Sequence, residues 1–437
     1  MKLLLKNARL LLSPSDGITD ENETYFVGVT DERITFVGLA LPENEREQDF
    51  DRVIDCKENL LMPAFYNAHC HSAMTLFRGY GEDLPLRRWL DERILPAEDR
   101  LNFRRVYYGS RLAIAEMIRN GIVSFTDMYM FSDATAEAVL ESGIKANISR
   151  SIVSFDKNIT KQTDPRFAEA VALAERYHNA GDGRLRVDMS LHAEYSNVDA
   201  CCQYVSEYAA EHDLRMQLHL SETENEHNEC MARHGMTPAE YFASLGVFDV
   251  PTSAAHCVWL TEHDISILKE KNVTPVHCPV SNLKLGSGVM PLRKMLDCGI
   301  PVALGTDGVA SNNTLSILRE LQTAAILHKG VHRNPEQIRA AELPALATRN
   351  GALSQGRGDC GVLKAGMRAD MIMIDLNAIN NIPSYDLATT LAYSAENSNV
   401  LLTMCDGRIL WENGEYTSID TECLRFEARQ VIRHYFD

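Results

Sequence analysis

Between residues 60 and about 355 the chain repeats one unit, a short apolar run followed by a turn and a stretch with apolar residues at helical spacing. The apolar runs are NLLMPAFYNAHCH, IVSFTDMYM, IKANISRSI, RLRVDMSLHAEYS, RMQLHLSE, SAAHCVWL, VTPVHCPVS and PVALGTDG, eight in all. Strands alternating with helices specify βαβ units and a parallel sheet. Eight such units are the number that closes a (β/α)8 TIM barrel. A representative connecting stretch is RVYYGSRLAIAEMIRNG, which places Val106, Leu112, Ala113, Ala115 and Ile118 at helical spacing and supplies Gly121 as a stop.

The regions outside this repeat read differently. Residues 1–59 carry short strand-like runs (LLLKNARLLL, YFVGVTD, RITFVG, RVIDC) separated by Gly, Asn and Asp. The later part carries ADMIMIDL and LLTMCDGRILWENGEY, the second with Asp406-Gly407 as a hairpin signal. The predicted organisation is a barrel over residues 60–358 and a small β-sandwich built from both chain ends, 1–59 and 359–437, with a terminal helix on Leu424, Ala428, Val431, Ile432 and Tyr435.

Composition narrows the partners. A net charge of -18 repels nucleic-acid backbones and anionic lipid. The opening segment is broken by Lys6 and Arg9 before a signal-peptide core develops, and no later run approaches a membrane span. A cytoplasmic protein with no nucleic-acid or membrane partner is expected. The 11 cysteines form no C-x-x-C pair, and Cys70, Cys257 and Cys278 each adjoin a histidine in a strand, where alternation turns the sulfur away.

The chemistry concentrates at the strand ends. In a strand, residues i and i+2 share a face, so His69 and His71 can reach one ion. Fourteen histidines supply roughly 0.4 H-x-H pairs by chance, so that motif alone decides little. The later strands end in His192, His219, His256, His277 and Asp307. A barrel interior calls for Val, Ile and Leu at such places, whereas the C-terminal strand ends of a barrel converge on its active site.

The motifs MPAFYNAHCHSAMTLFRGYGEDLPLRRWLDERILPAED, LHLSETENE, AAHCVWL, HCPVSNLKLGSG and GTDGVASNN resemble, in order and spacing, the amidohydrolase superfamily and its branch of S-adenosylhomocysteine and methylthioadenosine deaminases. The resemblance implies His69, His71, His219 and Asp307 as metal ligands, Glu222 as the proton shuttle, and His256 with Asp307 as the pair that orients the attacking water. It places Trp89, Glu98, Arg150 and His192, with Glu222 and Asp307, around the substrate. A second substrate arginine has no clean counterpart; Lys157, Lys161 and Arg166 are the nearest cations. Binuclear relatives carry a carboxylated lysine where this chain has His192, so one divalent ion is expected, zinc first, with iron, manganese or cobalt compatible with the same donors.

The implied reaction is hydrolytic deamination of an adenosine-type nucleoside, whether adenosine, 5'-deoxyadenosine, methylthioadenosine or S-adenosylhomocysteine. A related hydrolase of guanine, an oxidised purine or a triazine would use the same metal chemistry in a different pocket. A non-catalytic scaffold with a decayed site is the contrasting class, and the complete ligand set together with Glu222 argues against it. A homodimer or higher homo-oligomer is the expected assembly.

Overall fold

The computed structural model describes all residues except 12–17, 19, 434, 436 and 437. Leu12 of the first predicted strand and three positions of the predicted terminal segment lie outside the described residues. By packing, the chain divides into two compact units, residues 1–66, 115–124 and 316–420 in one and 67–114, 125–315 and 421–437 in the other.

The chain begins with β1 (Lys2–Ala8), β2 (Tyr25–Thr30), β3 (Arg33–Gly38) and β4 (Arg52–Asp55), which form a sheet in the order β3-β2-β1-β4. Here β1 runs antiparallel to β2 and parallel to β4. The run NLLMPAFYNAHCH, read as a single barrel strand, is two strands. β5 (Leu60–Pro63) ends at a proline and is separated by Ala64 from β6 (Phe65–Cys70). The Ala64 N–H donates to Asp370 O at 3.1 Å, outside any ladder, and this turn in partner marks the break.

β6 opens the barrel, followed by β7 (Ile122–Tyr129), β8 (Lys145–Arg150) and β9 (Leu185–Val187) in one sheet. β10 (Met189–Ser190), β11 (Met216–Leu220), β12 (Thr252–His256), β13 (Thr274–His277) and β14 (Ala303–Leu304) form the other, all in parallel register. The fourth predicted strand is split into β9 and β10 at Asp188. That buried carboxylate accepts hydrogen bonds from Asn147 Nδ2 at 2.9 Å and Gln217 Nε2 at 3.1 Å, a polar layer where aliphatic side chains were expected. The ring closes from β14 to β6 through side chain and backbone: Asn67 Nδ2 donates to Thr306 Oγ1 at 2.8 Å, Thr306 N–H to Asn67 Oδ1 at 3.0 Å, and Asp307 N–H to His69 O at 3.0 Å.

Gly305 makes this closure possible. A Cβ there would stand 2.9 Å from both the backbone N and the Cβ of His69, closer than packing tolerates. The outer helices follow the strands as the periodicity predicts: Phe103–Arg119 runs to the positive-φ residue Gly121, and Ser132–Ser142, Pro165–Tyr177, Asp199–Glu211 and Glu262–Glu270 succeed later strands.

After the barrel come β15 (Met371–Ile374), β16 (Val400–Cys405), β17 (Arg408–Glu412) and β18 (Glu415–Tyr416), which with β5 make a sheet in the order β18-β17-β16-β15-β5. β5 therefore pairs antiparallel with β15 instead of extending the barrel strand. The Asp406-Gly407 turn has φ of 48° and 70°, the left-handed pair that a tight hairpin demands. Alternate residues of the two end sheets, Leu3, Leu5, Val27 and Val29 with Leu61, Met371, Met373, Leu402 and Met404, bury in one apolar cluster. The terminal helix is present over Thr421–Ile432 and groups with the barrel unit instead of the end sheets.

Gly305→Ala should lower stability by about 1–3 kcal/mol, because backbone must move to admit the methyl group. Gly330→Ala, within the helix Ile317–His332 and facing open space, should raise it by about 0.5–1 kcal/mol. Paired denaturation curves check the contrast, and an unaltered midpoint for Gly305→Ala would contradict the tight closure.

Candidate metal centre and active site

The site is assembled at the C-terminal ends of the barrel strands. His71, just past β6, directs Nδ1 at the carbonyl of Met128 at 2.7 Å, and His219 on β11 directs Nδ1 at the carbonyl of His192 at 2.7 Å. A carbonyl only accepts, so each Nδ1 carries the proton and each Nε2 presents a lone pair. Those two Nε2 atoms face one another at 3.3 Å. The Nε2 of His69 is buried without a hydrogen-bond partner. Asp307 Oδ1 stands 3.2 Å from His71 Nε2 and 3.6 Å from His69 Nε2. Ligand atoms of His69, His71 and His219, and of His69, His256 and Asp307, fall within 4.8 Å of one another.

Lone pairs and a carboxylate crowded in this way repel unless a cation lies among them, and neutral imidazole with carboxylate is a donor set suited to a divalent transition metal. His69, His71, His219 and Asp307 therefore fit such an ion. The electrostatics agree. Burial lowers the pKa of His69 to about 4 and that of His219 well below its ordinary value, keeping both neutral. Burial would raise Asp307, but His69 and His71 beside it hold it well below the carboxylate range. His71 is raised to about 9: burial opposes this, and the Asp307 carboxylate overcomes it. A divalent cation at these atoms would take the place of that proton.

Several groups fix the ligands. Asp307 Oδ1 accepts from Gly308 N–H at 2.7 Å, and Oδ2 from the hydroxyls of Ser281 at 2.6 Å and Ser311 at 2.8 Å. Asp127, fully buried near the end of β7, accepts from Ser72 N–H at 2.6 Å and from the Cys70 thiol at 3.7 Å, so it clamps the turn that carries His71. The Cys70 sulfur thus points to Asp127. Ser221, His256, Cys257 and Asp307 all have positive φ, between 48° and 71°. Non-glycine residues in that region cost about 1–3 kcal/mol each and concentrate where a side chain must be aimed.

Glu222 lies beyond His219, its Oε1 accepting from Ser287 Oγ at 2.9 Å and its Oε2 3.8 Å from His256 Nε2. Burial raises its pKa, opposed by His256. Glu226, in the first turn of the helix Glu224–His234, accepts from the N–H groups of Ser221 at 3.0 Å and Glu222 at 2.8 Å and so holds the Glu222 backbone in place. His256 Nδ1 donates to Asn282 Oδ1 at 2.8 Å, leaving Nε2 towards Glu222.

Among the expected substrate residues, His192 sits with its ring 4.9 Å from that of His219 and its Nδ1 3.1 Å from Ser196 Oγ. Glu98 is close enough to His71 for their charges to interact, and burial pushes its pKa up to about 7. Trp89 is buried, its ring edge over Gly81. Arg150 ends β8, but its guanidinium donates to Glu169 Oε2 at 2.5 Å and to Ser151 O at 2.5 Å, so a carboxylate on the helix Pro165–Tyr177 engages it. Lys157, Lys161 and Arg166 are exposed. Sequence reasoning missed Asp127, Glu226, Ser281, Asn282, Ser287 and Ser311. All but Asp127 lie inside the motifs quoted above, yet such polar residues give no sign of what they will hold.

Residues 60–410 match the amidohydrolase family, and the chain belongs to that family. It is 42% identical over 392 residues, 89% of this chain and 91% of the other, to the 5-methylthioadenosine/S-adenosylhomocysteine deaminase of Dictyoglomus thermophilum. It is 39% identical over 427 residues, 98% of this chain and 96% of the other, to the 5'-deoxyadenosine deaminase of Methanosarcina acetivorans. The fold superposes with a TM-score of 0.90 and 32% identity on an adenosine deaminase from Xanthomonas campestris with bound zinc, covering 99% of this chain and 98% of that one. The parallel strands and outer helices are accordingly those of a TIM-barrel hydrolase.

Asp127→Ala should weaken divalent-metal binding about 10- to 100-fold while the protein stays folded, because it frees the turn that presents His71. Competition against a chromogenic chelator measures this. Affinity equal to the parent's would show that Asp127 does not hold the ligand.

Proposed function

We propose that this protein is a metal-dependent hydrolytic deaminase of adenosine-type nucleosides, converting the adenine ring to hypoxanthine with release of ammonia. The observation that carries the reading is the buried Glu222 carboxyl beside His256, next to a cluster of ligands that fits one divalent ion. The names of relatives at 38–42% identity point to the same chemistry. Zinc is the ion we assign, as in the solved Xanthomonas relative, although iron, manganese and cobalt suit the same donors.

His69, His71, His219 and Asp307 would hold the ion, which when bound would lower the pKa of a water towards roughly 7. The protein's own groups do the rest. His256, fixed by Asn282, and Asp307, fixed by Ser281 and Ser311, orient the attacking water and accept its proton. Glu222, protonated more readily because it is buried, delivers a proton to the ring nitrogen next to the amino-bearing carbon. The carbon becomes tetrahedral, the proton taken from the water passes to the amino group, the carbon–nitrogen bond breaks to release ammonia, and the remaining hydroxyl proton returns to Glu222 as the carbonyl forms. Glu98 accepts hydrogen bonds from the ribose hydroxyls, His192 and Trp89 line the nucleoside, and Arg150 lies towards its 5' end.

The wider organisation follows the same reading. We take residues 60–358 as the catalytic barrel and 1–59 with 359–437 as a small β-sandwich, with two adjustments: β5 joins the end sheets, and the helix Thr421–Ile432 groups with the barrel. The shared apolar cluster of the two end sheets supports the sandwich. Among the described residues no helix is long and apolar enough to cross a membrane. The cysteines are free, in keeping with a reducing cytoplasm. We place the enzyme there as a homodimer or higher homo-oligomer acting on a small-molecule nucleoside, with no nucleic-acid or membrane partner.

Ammonia release from adenosine, 5'-deoxyadenosine, methylthioadenosine, S-adenosylhomocysteine and guanine tests the substrate class; turnover of guanine alone would refute it. Glu222→Gln should retain its metal and lose about 10^2- to 10^4-fold in kcat. If that variant lost its metal instead, Glu222 would be a ligand and the proton-transfer role would be wrong.

A further inference from the structure

Tyr129 closes β7, two residues after Asp127, so both side chains share one face of the strand. That face looks onto the turn carrying His71. Asp127 holds Ser72 there, and the Tyr129 ring lies 6.1 Å from the His71 ring. The tyrosine is 3% exposed, yet its hydroxyl has no hydrogen-bond partner among the described residues. Buried tyrosine hydroxyls ordinarily find one, since leaving a polar group unpaired costs free energy. The polar side chain beside it is Glu98, whose carboxyl is near enough to act on the phenol.

The backbone that carries Glu98 is anchored. The Tyr435 hydroxyl donates to Ala97 O at 2.9 Å, one residue before Glu98, and Arg100 Nη1 donates to Tyr435 O at 2.9 Å. Tyr435 is itself 1% exposed. A carboxylate that accepts and a phenol that donates, fixed side by side, match a ligand carrying adjacent hydroxyls. One hydroxyl gives its hydrogen to Glu98 while its oxygen takes a hydrogen from Tyr129.

We propose that Tyr129 is a further substrate-contacting residue, its hydroxyl pairing with Glu98 to grip the vicinal diol of the nucleoside ribose. This rests on the nucleoside reading above. The contact makes Tyr129 a determinant of ribose against deoxyribose recognition, because a site built to hydrogen-bond a hydroxyl discriminates against substrates that lack it.

The test compares wild type and Tyr129→Phe on adenosine and 2',3'-dideoxyadenosine, with metal content and thermal midpoint measured in parallel. The ring stays, so the variant should keep its metal. Because the hydroxyl has no partner in the free protein, the midpoint should be unchanged or higher. On adenosine kcat/KM should fall about tenfold, the loss of one hydrogen bond to substrate, while dideoxyadenosine changes by less than about twofold, so that the preference between them shrinks by the difference. Equal losses on both substrates, or a lowered midpoint, would assign the hydroxyl a structural role and overturn the proposal. An active wild type whose preference is untouched by the substitution overturns the Tyr129 contact alone. A wild type inert on both compounds overturns the nucleoside reading and this contact with it.

Discussion

Most of the architecture described here serves to bring lone pairs together where they would otherwise repel. His71 and His219 commit their Nδ1 protons to the carbonyls of Met128 and His192, and the remaining ring nitrogens face each other, His69 and Asp307. Burial strips away the water that would screen them. The arrangement is favourable only around a positive charge, so the barrel that creates it is a preformed receptor for a cation. The tautomers are set by main-chain atoms of neighbouring strands, which are among the most rigid donors and acceptors a protein has.

Holding that geometry imposes costs that the rest of the barrel unit absorbs. Left-handed backbone at Ser221, His256, Cys257 and Asp307 aims side chains from strands that would otherwise point them elsewhere. The two hydroxyls on Asp307 and the amide on His256 remove rotational freedom from the groups that handle the water. Glu226, itself raised to about 7 mainly by burial, accepts from the consecutive backbone N–H groups of Ser221 and Glu222. The proton-delivering residue is thus positioned through its main chain before its side chain is considered. Such preorganisation is what lets an acid and a water meet neighbouring atoms of one ring.

Much of this was legible in advance, for an identifiable reason. The eight strand runs are apolar and short, and the periodicity between them is strong. His69-x-His71 shares a face because strand geometry has a period of two, which is local and independent of context. Where the reading slipped, a tertiary partner overrode a local pattern. The run at 60–71 looks continuous, yet its first residues pair with β15, some three hundred residues away in sequence. The run at 185–190 reads as one strand with Asp188 inside it, yet it breaks there because Asn147 and Gln217 from neighbouring strands satisfy that carboxylate inside the barrel. Arg150 stands at the end of β8 as expected, and its engagement by Glu169 on the next helix is a tertiary partner that no local pattern announces.

The sequence by itself determined the order of the strand-forming runs, the residue types at their ends and hence the class of chemistry, since hydrophobic period and ligand identity are properties of short stretches. Only the tertiary structure decided which nitrogen of each histidine faces the ion, which oxygen of Asp307 is spoken for, that Asp127 clamps the His71 turn, and that a C-terminal tyrosine pins the turn bearing Glu98. Those outcomes depend on hydrogen bonds between residues far apart along the chain. Such bonds have direction and a fixed reach, and no pattern within a window of sequence encodes them.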